Sequence, residues 1–233
     1  MTNQTDLTLA AVDVDGAVRE TADAAAGDTR SAFLARAGML GGGALGAGAL
    51  LHLLTGEAGA QSRRDVNILN FALTLEYLEA AFYTEAVAMG ALSGELRLFA
   101  RVVGGHERAH VRALRTALGS AAVARPRFNF RGTTEDADLF AATAQVLEDT
   151  GVAAYAGQAP RIRSDAVLDA ALAIHTVEAR HAAWIRGING ALEAPRDFDG
   201  PLSRRRVLAR VAGTRFIVAQ APSDSGSSPS FTG

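Results

Sequence analysis

The chain has 233 residues, 48% of them hydrophobic and 21% charged, with a formal net charge of -2. That balance excludes wholesale disorder and gives no electrostatic footing for a nucleic-acid partner. Cysteine is absent, so disulfides, thiolate metal sites and cysteine nucleophiles are excluded as well.

Residues 1–28 are polar, rich in Ala, Thr and Asp, and show no helical stripe; they are expected to be disordered. The run T-R-S-A-F-L-A-R-A-G (29–38) leads into the weakly apolar, glycine-rich stretch 39–54, too short for a good membrane span. Ala58-Gly59-Ala60 follows as a small-x-small cleavage pattern, so residues 1–60 read as an N-terminal segment ending in an export signal. The segment resembles a twin-arginine signal in which Ser31 stands at the second arginine. It implies a protein exported to the periplasm or another extracytoplasmic space, with no stable membrane span after cleavage. An uncleaved amphipathic or anchoring segment is the alternative.

From residue 61 to 217 the pattern is helical throughout. Ser62 is a plausible N-cap with Asp65 in the first turn, and Leu69, Ala72, Glu76, Glu79, Tyr83 and Ala86 form one stripe up to Gly90. A second helix is expected from Ser93 to about Leu118, stopped by Gly119. It carries Gly104-Gly105 in its interior, which should cost roughly 2 kcal/mol relative to alanine. A local bulge, a close helix approach or simple tolerance would each account for the pair. Residues 121–134 show no helical period and read as an extended crossover running the length of the domain. The third helix is expected over about 135–157, with Ala141, Ala144, Glu148, Val152 and Tyr155 on its stripe and Pro160 breaking it. The fourth, from near Ser164 to near Gly190, places Ile174, Glu178, His181, Ile185 and Ile188 on one face. A short capping helix should begin at Ser203, and residues 218–233 form a Ser-, Gly- and Pro-rich tail expected to be disordered.

Each long helix carries an acid near its middle, on the apolar seam. The set is Glu76, Glu107 with His110, Glu148, and Glu178 with His181, in the order E, E-x-x-H, E, E-x-x-H. Packed up and down, helices of about two dozen residues bring these groups to one level. Burying even one unpaired carboxylate costs several kcal/mol, and no arginine lies on these seams. Two divalent cations balance four carboxylates, and mixed carboxylate and imidazole ligands suit iron or manganese, with zinc a competitor. Glu79 shares the first seam and competes with Glu76. His106 and His175 flank the E-x-x-H pairs and, with Tyr83 and Tyr155, are candidates for supporting the ligands from behind; Tyr83, Tyr155 and Trp184 are otherwise core aromatics.

These residues carry a resemblance to the ferritin-like superfamily, in its branch of exported ferritin-like and desiccation-related proteins. The carriers are L-N-F-A-L-T-L-E-Y-L-E-A-A-F-Y (69–83), H-E-R-A-H-V-R-A-L (106–114), L-E-D-T-G-V-A-A-Y (147–155), V-E-A-R-H-A-A-W-I-R (177–186) and the tail segment P-L-S-R-R-R-V-L-A (201–209). Bacterioferritins share L-N-x-x-L-x-x-E followed seven residues later by tyrosine, which maps the first ligand onto Glu76 and the tyrosine onto Tyr83. They also share a tryptophan three residues after the last histidine, here Trp184. The resemblance implies an all-α, four-helix bundle with a long crossover between helices two and three, and a carboxylate-bridged centre of two divalent metals, iron first and manganese second. It also implies oxygen or peroxide as the partner and is compatible with a homo-oligomer. Three functions fit it: a di-iron oxidoreductase in iron oxidation or stress protection, a manganese-catalase-like peroxide dismutase, or a non-enzymatic stress bundle with a vestigial metal site.

Overall fold

The computed structural model describes residues 62–218. The expected N-terminal segment, the export signal with its cleavage pattern, and the tail beyond Val218 lie outside the described residues. Four long helices dominate: α1 (Arg63–Met89), α2 (Gly94–Leu118), α3 (Ala137–Gln158) and α4 (Asp165–Ile188). A shorter α5 (Arg204–Thr214) follows, and the two-residue strands β1 (Arg127–Phe128) and β2 (Ile217–Val218) pair antiparallel. None of the described helices is long and apolar enough to cross a membrane.

The helix ends follow from short polar residues at the caps. The hydroxyl of Ser62 accepts from the Asp65 amide, that of Ser164 from Val167, that of Ser203 from Arg206, and the Asp136 carboxylate accepts from Leu139. Each satisfies one of the amides that a helix start leaves free. Ser93 occupies the equivalent place before α2 without a side-chain bond. Asp65 does not return to its own cap; its Oδ1 accepts from the Arg163 amide at 3.0 Å, tying the start of α1 to the approach of α4. Gly90, at φ 76°, ends α1 in the left-handed conformation that favours glycine. The third helix starts two residues later than the periodicity suggested, because Asp136 supplies the cap.

Most helix–helix contact lies within the α1/α2 and α3/α4 hairpins. The crossover from α2 to α3 travels along α1. Asn70, near the start of α1, donates to the Ala121 carbonyl and accepts from the Val123 amide, both at 2.8 Å. At the far end of α1, Glu85 accepts from the Thr134 hydroxyl at 2.7 Å. Helices α2 and α3 therefore run parallel, and α1 with α4 likewise. One apolar cluster confirms the directions by joining the start of α1 (Leu69, Leu73), the end of α2 (Leu114, Leu118), Tyr155 late in α3 and Val167 early in α4. The other gathers Phe82, Phe99, Phe140 and Ile185 at the opposite end and continues under α5 through Phe71 and Val207. The β1–β2 pairing was not foreseen, since two residues carry no readable period; it holds the crossover against Phe216, whose ring packs with Phe82 and Phe130.

The two interior glycines of α2 have separate explanations. The helix runs through both without a bulge. A Cβ on Gly104 would stand 2.8 Å from the Cβ of Tyr83, so this glycine permits the close approach of α1 and α2. A Cβ on Gly105 would meet nothing nearer than an Arg108 guanidinium nitrogen at 4.0 Å. Gly104→Ala should therefore destabilise the fold by roughly 1–3 kcal/mol, the usual cost of overpacking. Gly105→Ala should stabilise it by about 0.5–1 kcal/mol, because a helix gains from alanine where space is free. Denaturant unfolding of the two variants checks both signs.

Candidate metal centre

All six seam residues proposed as ligands meet at one level of the bundle. Glu76, Glu107, Glu148 and Glu178 have relative exposures of 0%, with His181 at 3% and His110 at 7%. They fall into two groups whose ligand atoms lie within 4.8 Å of one another: Glu76, Glu107, His110 and Glu178, and then Glu107, Glu148, Glu178 and His181. Glu107 and Glu178 belong to both. Each group takes three residues from one hairpin, α1 with α2 or α3 with α4, and the fourth from the other hairpin.

His110 Nδ1 stands 3.2 Å from Glu76 Oε2, Glu107 Oε2 and Glu178 Oε1. His181 Nδ1 stands 3.1 Å from Glu107 Oε1, 3.3 Å from Glu148 Oε2 and 4.0 Å from Glu178 Oε1. The tyrosines repeat the same exchange between hairpins. Tyr83 on α1 donates to Glu148 on α3, and Tyr155 on α3 donates to Glu76 on α1 at 2.5 Å. Each outer carboxylate thus has one oxygen held by a phenol and the other turned to the centre.

Glu107 Oε1, Glu148 Oε2, both oxygens of Glu178 and His181 Nδ1 are buried without a hydrogen-bond partner among the described residues. Several of these atoms are close enough to bond yet lack the direction for it, so they face a common space rather than each other. Orphaned buried acceptors of this kind cost free energy unless something else satisfies them. Oxygen and imidazole donors around two overlapping points fit a pair of divalent cations.

Protonation reports the same strain. Burial raises the carboxyl of Glu76, helped by the charge of Glu107, to about 8. Burial likewise raises Glu178, Glu79 and Glu148 above the ordinary carboxylate range. Burial opposes the charge on Glu107, but His110 and His181 outweigh it and hold this carboxyl low. Burial also works against the charge on His181, and the carboxylates of Glu107 and Glu148 close beside it overturn that, lifting the ring to about 10. His110 rises for similar reasons, with Glu76 and Glu107 beside it.

The flanking residues separate. Glu79 is buried at 3% but joins neither group, whereas Glu76 joins one; Glu79 lies beside Glu178. His106 is exposed, with its Nδ1 2.9 Å from His181 Nε2. His175 joins neither group, and its Nδ1 is buried without a partner. Trp184 donates to Glu95, which is in neither group, at 2.9 Å and packs on Phe99. The sequence reading missed Gly151. A Cβ there would stand 3.0 Å from Glu178 Oε2 and 3.5 Å from Glu79 Oε1, so the missing side chain makes room for both acids. Its signal was a glycine in mid-helix, three residues after Glu148.

A family profile describing the ferritin-like domain matches residues 64–191, more than half of the chain. The chain belongs to the ferritin-like domain family. No curated protein matches it significantly. The matched span of the ferritin-like domain contains the four long helices, save the first residue of α1, and all six grouped residues, and ends just past α4.

Metal ligation needs neutral imidazoles and ionised carboxylates, whereas the metal-free centre holds protons on both. Uptake of a divalent cation should therefore release protons, and affinity should rise as pH is raised from about 6 to 8, through the range where Glu76 titrates. Calorimetry of Mn(II) binding in buffers of different ionisation enthalpy checks the release directly.

Proposed function

We propose that this is an exported ferritin-like protein whose bundle holds a carboxylate-bridged di-metal centre, iron first and manganese second, used in iron oxidation or in protection against oxidative or desiccation stress. The observation that carries the reading is the sharing of Glu107 and Glu178 between two ligand groups, each completed by one glutamate and one histidine. Shared carboxylates are what two adjacent cations need, and four carboxylates match their charge.

Within that reading the residues have separate tasks. Glu107 and Glu178 would bridge; Glu76 with His110, and Glu148 with His181, would close the two ends. Tyr83 and Tyr155 fix the outer glutamates by one oxygen each, so that only the other is free to ligate. The surrounding apolar clusters exclude bulk water and strengthen every charge interaction inside. Bound iron would supply one-electron redox chemistry toward oxygen or peroxide.

Metal analysis of purified protein tests the reading, with two ions per chain expected. The metal-free form should melt several degrees lower, since ligand at a hundred times its dissociation constant contributes about 2.7 kcal/mol. Glu178→Gln keeps the volume, removes one of the four charges, and should bind less metal. Equal melting of both forms, with unchanged metal in Glu178→Gln, would sink the di-metal reading. Oxygen uptake on adding Fe(II) would assign iron oxidation; peroxide dismutation without it would point to the manganese alternative.

Export rests on the apolar run 39–54 and on Ala58-Gly59-Ala60. The N-terminus of protein from the native host should lie at or near Gln61. Intact chain beginning at Met1 in the cytoplasm would overturn this part of the proposal.

A further inference from the structure

We propose that His106 is a positioning residue for His181, and that it makes the two metal positions unequal. The inference rests on the di-metal reading and concerns how the protein holds one ligand of that centre. For His181 Nδ1 to face a cation, its lone pair must be free, so the single proton of the neutral ring sits on Nε2. That N–H needs an acceptor, and His106 Nδ1 lies 2.9 Å from it. The ring planes are only 13° apart, with centroids 5.1 Å from each other, which suits an in-plane hydrogen bond between the two edges. His106 must then carry its own proton on Nε2.

His110 has no such support. Its Nδ1 faces Glu76, Glu107 and Glu178, while its Nε2 has no hydrogen-bond partner among the described residues. An acceptor behind a ligating imidazole fixes its tautomer and ring angle, and losing such a partner typically weakens metal affinity by roughly 10–100-fold. The position closed by Glu148 and His181 is therefore held more firmly than the one closed by Glu76 and His110. The local sequence places the device, since His106 directly precedes Glu107 on α2 while α2 and α4 are in contact.

Two substitutions separate an acceptor from a mere ring. His106→Phe keeps a flat side chain but has no acceptor. His106→Asn loses the ring but offers its side-chain carbonyl oxygen in place of Nδ1. Metal-free full-length wild type and variants are titrated with Co(II) by calorimetry and visible absorption, with circular dichroism confirming equal helix content. We expect two Co(II) per wild-type chain, a roughly 10–100-fold loss at one position in His106→Phe with the other unchanged, and near-wild-type binding in His106→Asn. Wild-type titration of His106→Phe overturns the inference and leaves the di-metal centre standing. So does an Asn variant as impaired as the Phe variant, which would assign His106 to packing. A wild type that takes up no metal fails at the earlier step and removes both.

Discussion

Four carboxylates at zero exposure in the middle of a helical bundle set the terms for everything else in this protein. Ionised and unpaired, each would cost several kcal/mol, a large share of the net stability of an ordinary domain. Arginine is plentiful in the chain but is kept away from the centre. The ion pair of Arg186 with Asp149 forms at the partly exposed edge, with bonds of 2.8 Å. Inside, the charge is met by imidazoles, by phenols and by protons held at raised carboxyls. On the proposed function, those protons are what bound cations would displace.

The packing serves that centre on both sides. Apolar clusters close the bundle above and below it, so the polar layer is one level thick. The reciprocal phenol bonds couple the hairpins where direct contact between them is sparse. Tyr83 and Tyr155 each reach from one hairpin to a glutamate of the other. Close approach is made possible by missing side chains, at Gly104 against Tyr83 and at Gly151 against Glu178 and Glu79. Glu79 remains the residue with least to account for it, a fifth buried acid beside the centre and outside both ligand groups.

Much of this was legible in the sequence because helical period and charge speak at the same positions. An acid on an apolar seam is visible as a violation, and four violations at matching depth identify a layer. The choice between Glu76 and Glu79 was harder, since both lie on the same stripe three residues apart. Only the placement of α2 and α3 separates them, and the family resemblance favoured Glu76 for an unrelated reason. His106 and His175 looked alike in the sequence, each close to an E-x-x-H pair. They part because His106 lies where α2 meets α4, against His181, while His175 turns to neither ligand group. Gly151 and the β1–β2 pairing were illegible for a different reason: their partners are distant in the chain and leave no local period.

The two ends of the helical bundle, at residues 62 and 218, carry a consequence for engineering a chain trimmed to it. Residue 62 enters beside the cluster of Leu69 and Leu118, whereas Phe216 docks at the other end on Phe82 and Phe130. The stretch of α1 between Arg63 and Phe82 rises roughly 30 Å. A circular permutant would need a linker of at least about nine extended residues to rejoin the ends. Cargo fused before residue 62 and cargo fused after 218 would leave from opposite poles and have no reason to collide. The scaffold suits a spacer between two passengers better than a loop inserted into a third.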